Sequence, residues 1–220
     1  MKRLLAIALI FSLLAMKQDK PLKVIFFGDS ITQAGVSPTG YITKMKQMLE
    51  SKGLGSKFDL IGKGIGGNKI YDLYLRMDDD VLALKPDVVF VYVGVNDVWH
   101  KRTSGTGTDA DKFERFYTAL IKKLQAQSIK VILCTPAAIG ERTDFTNDLD
   151  GDLNYYAKMI RDIATKNNCE LCDLRKAFLE YNLQKNSDNK QSGILTTDRV
   201  HLNEIGNQFV ADLMMKLLVK

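Results

Sequence analysis

Ser30 stands directly behind an apolar run, Val24-Ile25-Phe26-Phe27, and is reached through Gly28 and Asp29. A serine hydroxyl is a poor nucleophile at neutral pH until a base takes its proton and donors hold the oxyanion that forms. Histidine, with an ordinary pKa of about 6.5, is the usual base. The chain has two histidines, His100 and His201. His201 follows Asp198 by three residues in Asp198-Arg199-Val200-His201. In a tight turn that separation brings a carboxylate under the imidazole Nδ1, where it fixes the tautomer and stabilises the imidazolium. Taken alone, an Asp-x-x-His is more often a surface turn. His100, in Val98-Trp99-His100, has only Asp97 at short spacing and reads as a pocket-lining residue.

Two further strand-like runs end in residues that could donate to an oxyanion. After FDLIG comes Lys63-Gly64-Ile65-Gly66-Gly67-Asn68, and after DVVFVYV comes Gly94-Val95-Asn96-Asp97. A glycine lets its own N–H approach a substrate closely, and an asparagine amide is a neutral donor. Three successive strands would then send Ser30, Gly67 and Asn96 to one edge. Asp29, Tyr41, Asp97, Trp99 and His100 lie close enough in sequence to these ends to be candidates for the substrate pocket. Asp29 is also suited to tying the turn by hydrogen bonds.

The elements that position these residues are legible as an alternation. KVIFF precedes GYITKMKQMLESKG, FDLIG precedes KIYDLYLRMDDDVLALK, and DVVFVYV precedes DADKFERFYTALIKKLQAQ. KVILC precedes DLNYYAKMIRDIATKNN, and CELCDL precedes AFLEYNL and NEIGNQFVADLMMKLLVK. Five strand–helix alternations imply a parallel sheet with helices on both faces, and strands buried on both sides should be continuously apolar, as these are. In KFERFYTALIKKL, Phe113, Phe116, Leu120 and Leu124 share one helical face. Gly53 and Gly55 mark the end of the first long helix, and Pro86 the end of the second. The expectation is one α/β domain over residues 17–220, a three-layer α/β/α sandwich with a doubly wound parallel sheet of about five strands. Sites in such sheets form at the carboxyl ends of strands.

Composition bounds the rest. The 220 residues are 45% hydrophobic and 26% charged, ordinary for a globular chain, with a net charge of +5. The lysines are scattered, with no basic stripe of the kind a nucleic-acid surface needs. Residues 1–16 read as a secretory leader, with Lys2 and Arg3 before an apolar run from Leu4 to Met16, too short to span a bilayer. The leader contains no cysteine, which argues against a lipid anchor, and cleavage is expected near Ala15. Export is therefore expected. Cys134, Cys169 and Cys172 are too few and odd in number for a disulfide framework. Cys169 and Cys172 have redox-like spacing but fall in a strand, where positions three apart face opposite sides.

Gly28-Asp29-Ser30-Ile31, Gly66-Gly67, Gly94-Val95-Asn96-Asp97 and Asp198-Arg199-Val200-His201 together resemble the four ordered sequence blocks of the SGNH hydrolases, the GDSL esterase/lipase family. Ile31 stands where the family name has leucine. The resemblance implies a flavodoxin-like sandwich and a serine esterase needing no metal or cofactor. It also implies Ser30 as nucleophile, His201 as base and Asp198 as its orienting acid. Ser30 N–H, Gly67 and Asn96 would be the oxyanion hole. The two polar segments 139–150 and 185–197 offer no long apolar groove, which favours short acyl groups such as acetyl on a carbohydrate over a lysophospholipid or aryl ester. Two other readings compete. Gly62-Lys63-Gly64-Ile65-Gly66-Gly67 has the spacing of a dinucleotide-binding loop, though it follows the second strand and not the first. A carbohydrate-binding module would use Trp99 and Tyr41 for stacking.

Overall fold

The computed structural model describes residues 20–219. The expected leader lies outside the described residues. Five strands, β1 (Leu22–Gly28), β2 (Phe58–Gly64), β3 (Val88–Tyr92), β4 (Lys130–Cys134) and β5 (Glu170–Cys172), form one sheet in the order β2-β1-β3-β4-β5. Every pairing is parallel. This is the doubly wound order in which the chain reverses direction across the sheet between β1 and β3, the switch point where such folds open a crevice.

Among the described residues eight α-helices surround the sheet: α1 (Ser30–Ala34), α2 (Tyr41–Ser51), α3 (Ile70–Asp80), α4 (Val95–Thr103), α5 (Ala110–Gln125), α6 (Asp150–Lys166), α7 (Leu174–Lys185) and α8 (Glu204–Leu218). One layer is the series α3, α5 and α6; the other contains α2 and α8, with α7 packed on α8 through Phe178 and Phe209. The apolar runs read from the sequence are the sheet. Val24, Ile25, Phe26 and Phe27 of β1 are buried, as are all five residues of β3. Phe26 pairs with Phe90 across the β1–β3 ladder and stacks on it at 5.0 Å between ring centroids.

Three local expectations are corrected. The core stripe of α5 is Phe113, Tyr117, Leu120, Ile121 and Leu124, while Phe116 sits on its flank against Tyr71 and Tyr74. The second long helix ends at Asp80, well before Pro86, and a short 3₁₀ turn, Leu82–Leu84, fills the interval. At Gly28 a Cβ would collide with the Tyr92 carbonyl and the Thr32 hydroxyl, so close packing at the strand end demands glycine. Cys134 and Cys172 are free, buried register partners on β4 and β5, and Cys169 lies just outside the strand.

Candidate active site

The nucleophile arm is built from backbone. β1 lies between β2 and β3, hydrogen-bonded on both sides. It ends at Gly28, and Asp29 caps α1 by accepting the Ile31 N–H at 3.0 Å, so Ser30 opens the helix. Asp29 is buried, and that burial pushes its carboxyl up to about 7 against the opposing pull of the Ile31 N–H. Arg76 of α3 ties the neighbouring strand ends together. Its guanidinium donates to the carbonyls of Gly28 (2.8 Å) and Lys63 (3.1 Å) and pairs with Asp80 at 2.6 Å, and its Nε donates to the Asn68 amide oxygen at 2.7 Å.

The base arm is a loop. Asp198 Oδ1 accepts the N–H groups of Val200 (3.1 Å) and His201 (2.8 Å), an Asx-type turn that places Arg199 at φ +87°. The same carboxylate reaches His201 Nδ1 with Oδ2 at 2.7 Å. A carboxylate can only accept there, so Nδ1 carries the proton and Nε2 is left as the acceptor. His201 Nε2 lies 3.0 Å from Ser30 Oγ. Burial raises the Asp198 pKa, but the imidazole and the two backbone donors outweigh it and hold the carboxyl below its usual range. Ser30, His201 and Asp198, separated by as many as 171 residues, thus form one hydrogen-bonded chain.

The remaining expected donors also lie at strand ends. Gly67 sits in the loop after β2 at φ +77° and Gly94 caps α4 at φ +129°, conformations that glycine adopts without the penalty of a side chain. The Gly66 N–H is taken by Gln33 Oε1 at 2.8 Å, whereas the Gly67 N–H has no hydrogen bond among the described residues. Lys69 Nζ holds the Gly67 carbonyl at 2.9 Å. Asn96, in the first turn of α4 behind β3, is buried and donates to the Asn68 carbonyl at 3.1 Å.

Of the pocket candidates, three are interior. Tyr41 is fully buried with its hydroxyl on Thr32, and Asp29 serves α1. Asp97 is fully buried, accepts the Ile70 N–H at 3.2 Å, and is pushed up to about 7 by burial. They support the site from below and present no surface to a ligand. Trp99 and His100 are partly exposed on α4. The His100 ring comes within 3.8 Å of the place a Cβ on Gly67 would occupy, and its pKa is lowered by burial and by Lys69. A cavity of about 200 Å³ opens beside this group, lined by Trp99, Arg102, Ile139, Leu149, Gln191 and Arg199. It adjoins the base arm through Arg199, and its walls come from both polar segments, 139–150 and 185–197.

With this geometry in place, comparison with known proteins is decisive. Residues 26–209 match the profile of the GDSL-like lipase/acylhydrolase family. The chain belongs to that family. It is an ester-bond hydrolase. Its structure is similar to the crystal structure of an acetyl xylan esterase, AlAXEase, with a TM-score of 0.89 and 66% identity over 90% of this chain and 100% of that one. It is 28% identical to an acetylxylan esterase of Geobacillus stearothermophilus, covering 89% of this chain and 93% of that protein. It is 26% identical to an uncharacterized lipoprotein of Bacillus subtilis (strain 168), covering 85% of each.

The rival readings of this esterase meet physical obstacles. A Cβ on Gly62 would strike Val36, and one on Gly64 would strike the Gln33 backbone. Those glycines therefore serve the close packing of the chain around α1 against β2. Tyr41, buried under α8, offers no stacking face. Sequence reasoning passed over Gln33, Arg76 and Glu141, which hold backbone groups in distant segments, and Lys69, which holds the Gly67 carbonyl two residues away. It also read no helix at α1 or α4: the first has five residues and the second buries only Val95, Asn96, Asp97 and Val98.

Proposed function

We propose that this esterase removes acetyl groups from carbohydrate, with acetylated xylan fragments as the substrate class, by a two-step acyl transfer through Ser30. The observation that carries the reading is the continuous contact from Ser30 Oγ to His201 Nε2 and from Nδ1 to Asp198. His201 takes the Ser30 proton as Oγ attacks the ester carbonyl. Asp198 stabilises the imidazolium that forms. The oxyanion is held by the N–H groups of Ser30 and Gly67 and by the Asn96 amide. His201 then returns the proton to the leaving sugar hydroxyl, and the C–O bond to the sugar breaks. Water, deprotonated by the same imidazole, attacks the acetyl-enzyme, and acetate leaves with Ser30 restored.

The substrate class is supported by the two acetylxylan esterases to which the chain is similar. The roles are supported by catalytic mutants of the Geobacillus stearothermophilus enzyme, in which a serine, an aspartate or a histidine is replaced by alanine; those structures are 25% identical to this chain with a TM-score of 0.77, covering 90% of this chain and 94% of that one. In that enzyme the aspartate precedes the histidine by three residues, as Asp198 precedes His201. The cavity beside Trp99 is lined by this aromatic residue together with polar groups such as Arg102, Gln191 and Arg199, a combination that suits a sugar ring. The test is acetate release from acetylated xylo-oligosaccharides, alongside a series of p-nitrophenyl esters of increasing acyl length. Acetyl is expected to be turned over fastest; a preference for octanoyl esters with no acetate released from the oligosaccharide would reject this substrate.

We also read the chain as exported after removal of its first residues, from the basic start and apolar run at residues 2–16. The lipoprotein relative is compatible with export. Among the described residues no helix is long and apolar enough to cross a membrane. N-terminal sequencing of the protein from the culture medium or periplasm checks this reading, and an intact Met1 there contradicts it.

A further inference from the structure

Between β5 and α8 no strand ladder holds the base arm. Its regular structure amounts to one isolated bridge, Thr196 with Leu202, closed by the Thr197 N–H on the His201 carbonyl at 2.8 Å. What fixes this loop to the body of the protein is a buried carboxylate from the β4–α6 connection. Glu141 is 1% exposed. Its Oε1 accepts the N–H groups of Leu195 (2.6 Å) and Thr196 (2.9 Å), and its Oε2 accepts that of Ile194 (2.9 Å). The backbone beside it is stitched to the same region. The Glu141 N–H donates to the Gln191 carbonyl at 3.0 Å, and the Gly140 N–H donates to the Arg199 carbonyl at 2.9 Å, between Asp198 and His201. From the other side Asn203, the cap of α8, donates through its N–H to the Leu195 carbonyl at 3.0 Å and through its amide to the Ile194 carbonyl at 3.2 Å.

We propose that Glu141 is a positioning residue for the reaction: by gripping three consecutive N–H groups at Ile194–Thr196 it sets the Asp198–His201 pair over Ser30. The proposal rests on the reading of that pair as the catalytic base. Hydrogen bonds to a carboxylate are shorter and stronger than those to a neutral acceptor, and a buried N–H left without its acceptor is costly. A glutamine in this place offers one acceptor oxygen and an NH₂, so at least one of the three backbone donors would face another donor. An aspartate is one methylene too short to reach. The loop would then settle in a shifted position, and a displacement of about 1 Å at a catalytic group can cost roughly 100-fold in rate.

A double-mutant cycle separates positioning from mere scaffolding. The kcat and KM for p-nitrophenyl acetate are measured for the wild type, Glu141→Gln, Asp198→Ala and the double variant, on preparations that remain folded by circular dichroism. Glu141→Gln is expected to lower kcat roughly 10- to 100-fold with KM within about threefold, because groups that act as a unit lose transition-state stabilisation together. In the Asp198→Ala background the same change is expected to cost less than about threefold, since the pair it positions is already broken. Equal losses in both backgrounds, or unchanged kcat in Glu141→Gln, would overturn the proposal while leaving the triad intact. Full turnover by Asp198→Ala would instead reject the triad reading, and this proposal with it.

Discussion

Ser30 and His201 meet at 3.0 Å, yet the two arms that carry them are made differently. Ser30 leaves a strand paired on both sides, over a buried Asp29 and beneath the Arg76 guanidinium. His201 and Asp198 stand on an open loop, their side chains 37% and 51% exposed, and the loop passes through a left-handed residue at Arg199. One arm takes its position from a cooperative backbone ladder, the other from a buried carboxylate and a few isolated backbone hydrogen bonds. Damage to the strand ladder or the buried supports of the first should therefore reach the whole fold. Damage to the second should uncouple the base and spare the fold.

Replacing the reactive atoms tests the contrast at its strongest. Ser30→Ala should lower turnover by a factor on the order of 10⁴ to 10⁶ while the thermal midpoint stays within a few degrees, because among the described residues the side chain makes no hydrogen bond except to His201. Substantial turnover in a clean preparation would remove Ser30 from the chemistry. Asp198→Ala should cost roughly 10⁴-fold in kcat, and the protein should still melt cooperatively, since the loop keeps its grip on the body at residues 194–196 and through the Gly140 N–H on the Arg199 carbonyl. A large drop in melting temperature would show that the base arm is part of the structural core. Asn96→Ala should reduce kcat by about 10²- to 10³-fold if its amide holds the oxyanion. A change confined to KM would mean that it binds the substrate in its ground state.

A smaller effect separates the arms by pH. Burial raises Asp29 and Asp97, both beneath the nucleophile arm, from 3.8 to about 7. Between roughly pH 4 and 7 the native state then holds protons that the unfolded chain has lost, so this contribution to stability is greatest in acid and fades as pH rises through 7. Asp198, Asp80 and Asp173 shift the other way, and their contribution is lost as pH falls through their lowered pKa values. The urea midpoint should rise as pH is lowered from 8 to about 5, reflecting a gain in unfolding free energy on the order of 2 kcal/mol per raised carboxyl, and decline below about pH 4. Asp97→Asn should flatten the upper part of this curve. A midpoint constant from pH 8 to 5 would contradict the buried, protonated carboxyls.

The inner strands were legible because the apolar runs of β1, β3 and β4 are buried on both faces, whereas the edge strands β2 and β5 are only partly buried, and a residue's burial in a central parallel strand depends on local hydrophobicity more than on any particular partner. β1 and β3 show this, with every residue from Val24 to Phe27 and from Val88 to Tyr92 buried. The order of Ser30, Gly67 and Asn96 behind three strands follows from the same pattern, since parallel strands end on one edge. Asp198 and His201 were paired by their spacing, because a three-residue turn is a local structure. Which residues face outward at that edge was not local. Tyr41, Asp29 and Asp97 sit beside the expected site in sequence and are turned inward by packing against α8, α1 and α3. Glu141 and Arg76 gave no signal, because the N–H groups that Glu141 holds lie 53–55 residues away and the strand-end carbonyls that Arg76 holds lie 13 and 48 residues away. The sequence by itself determined the sheet, the strand ends that carry the candidate residues and the family. The tertiary structure decided that the hydroxyl and the imidazole share one hydrogen bond, and which side chains hold them there, because those contacts exist only once segments far apart in the chain have been brought together.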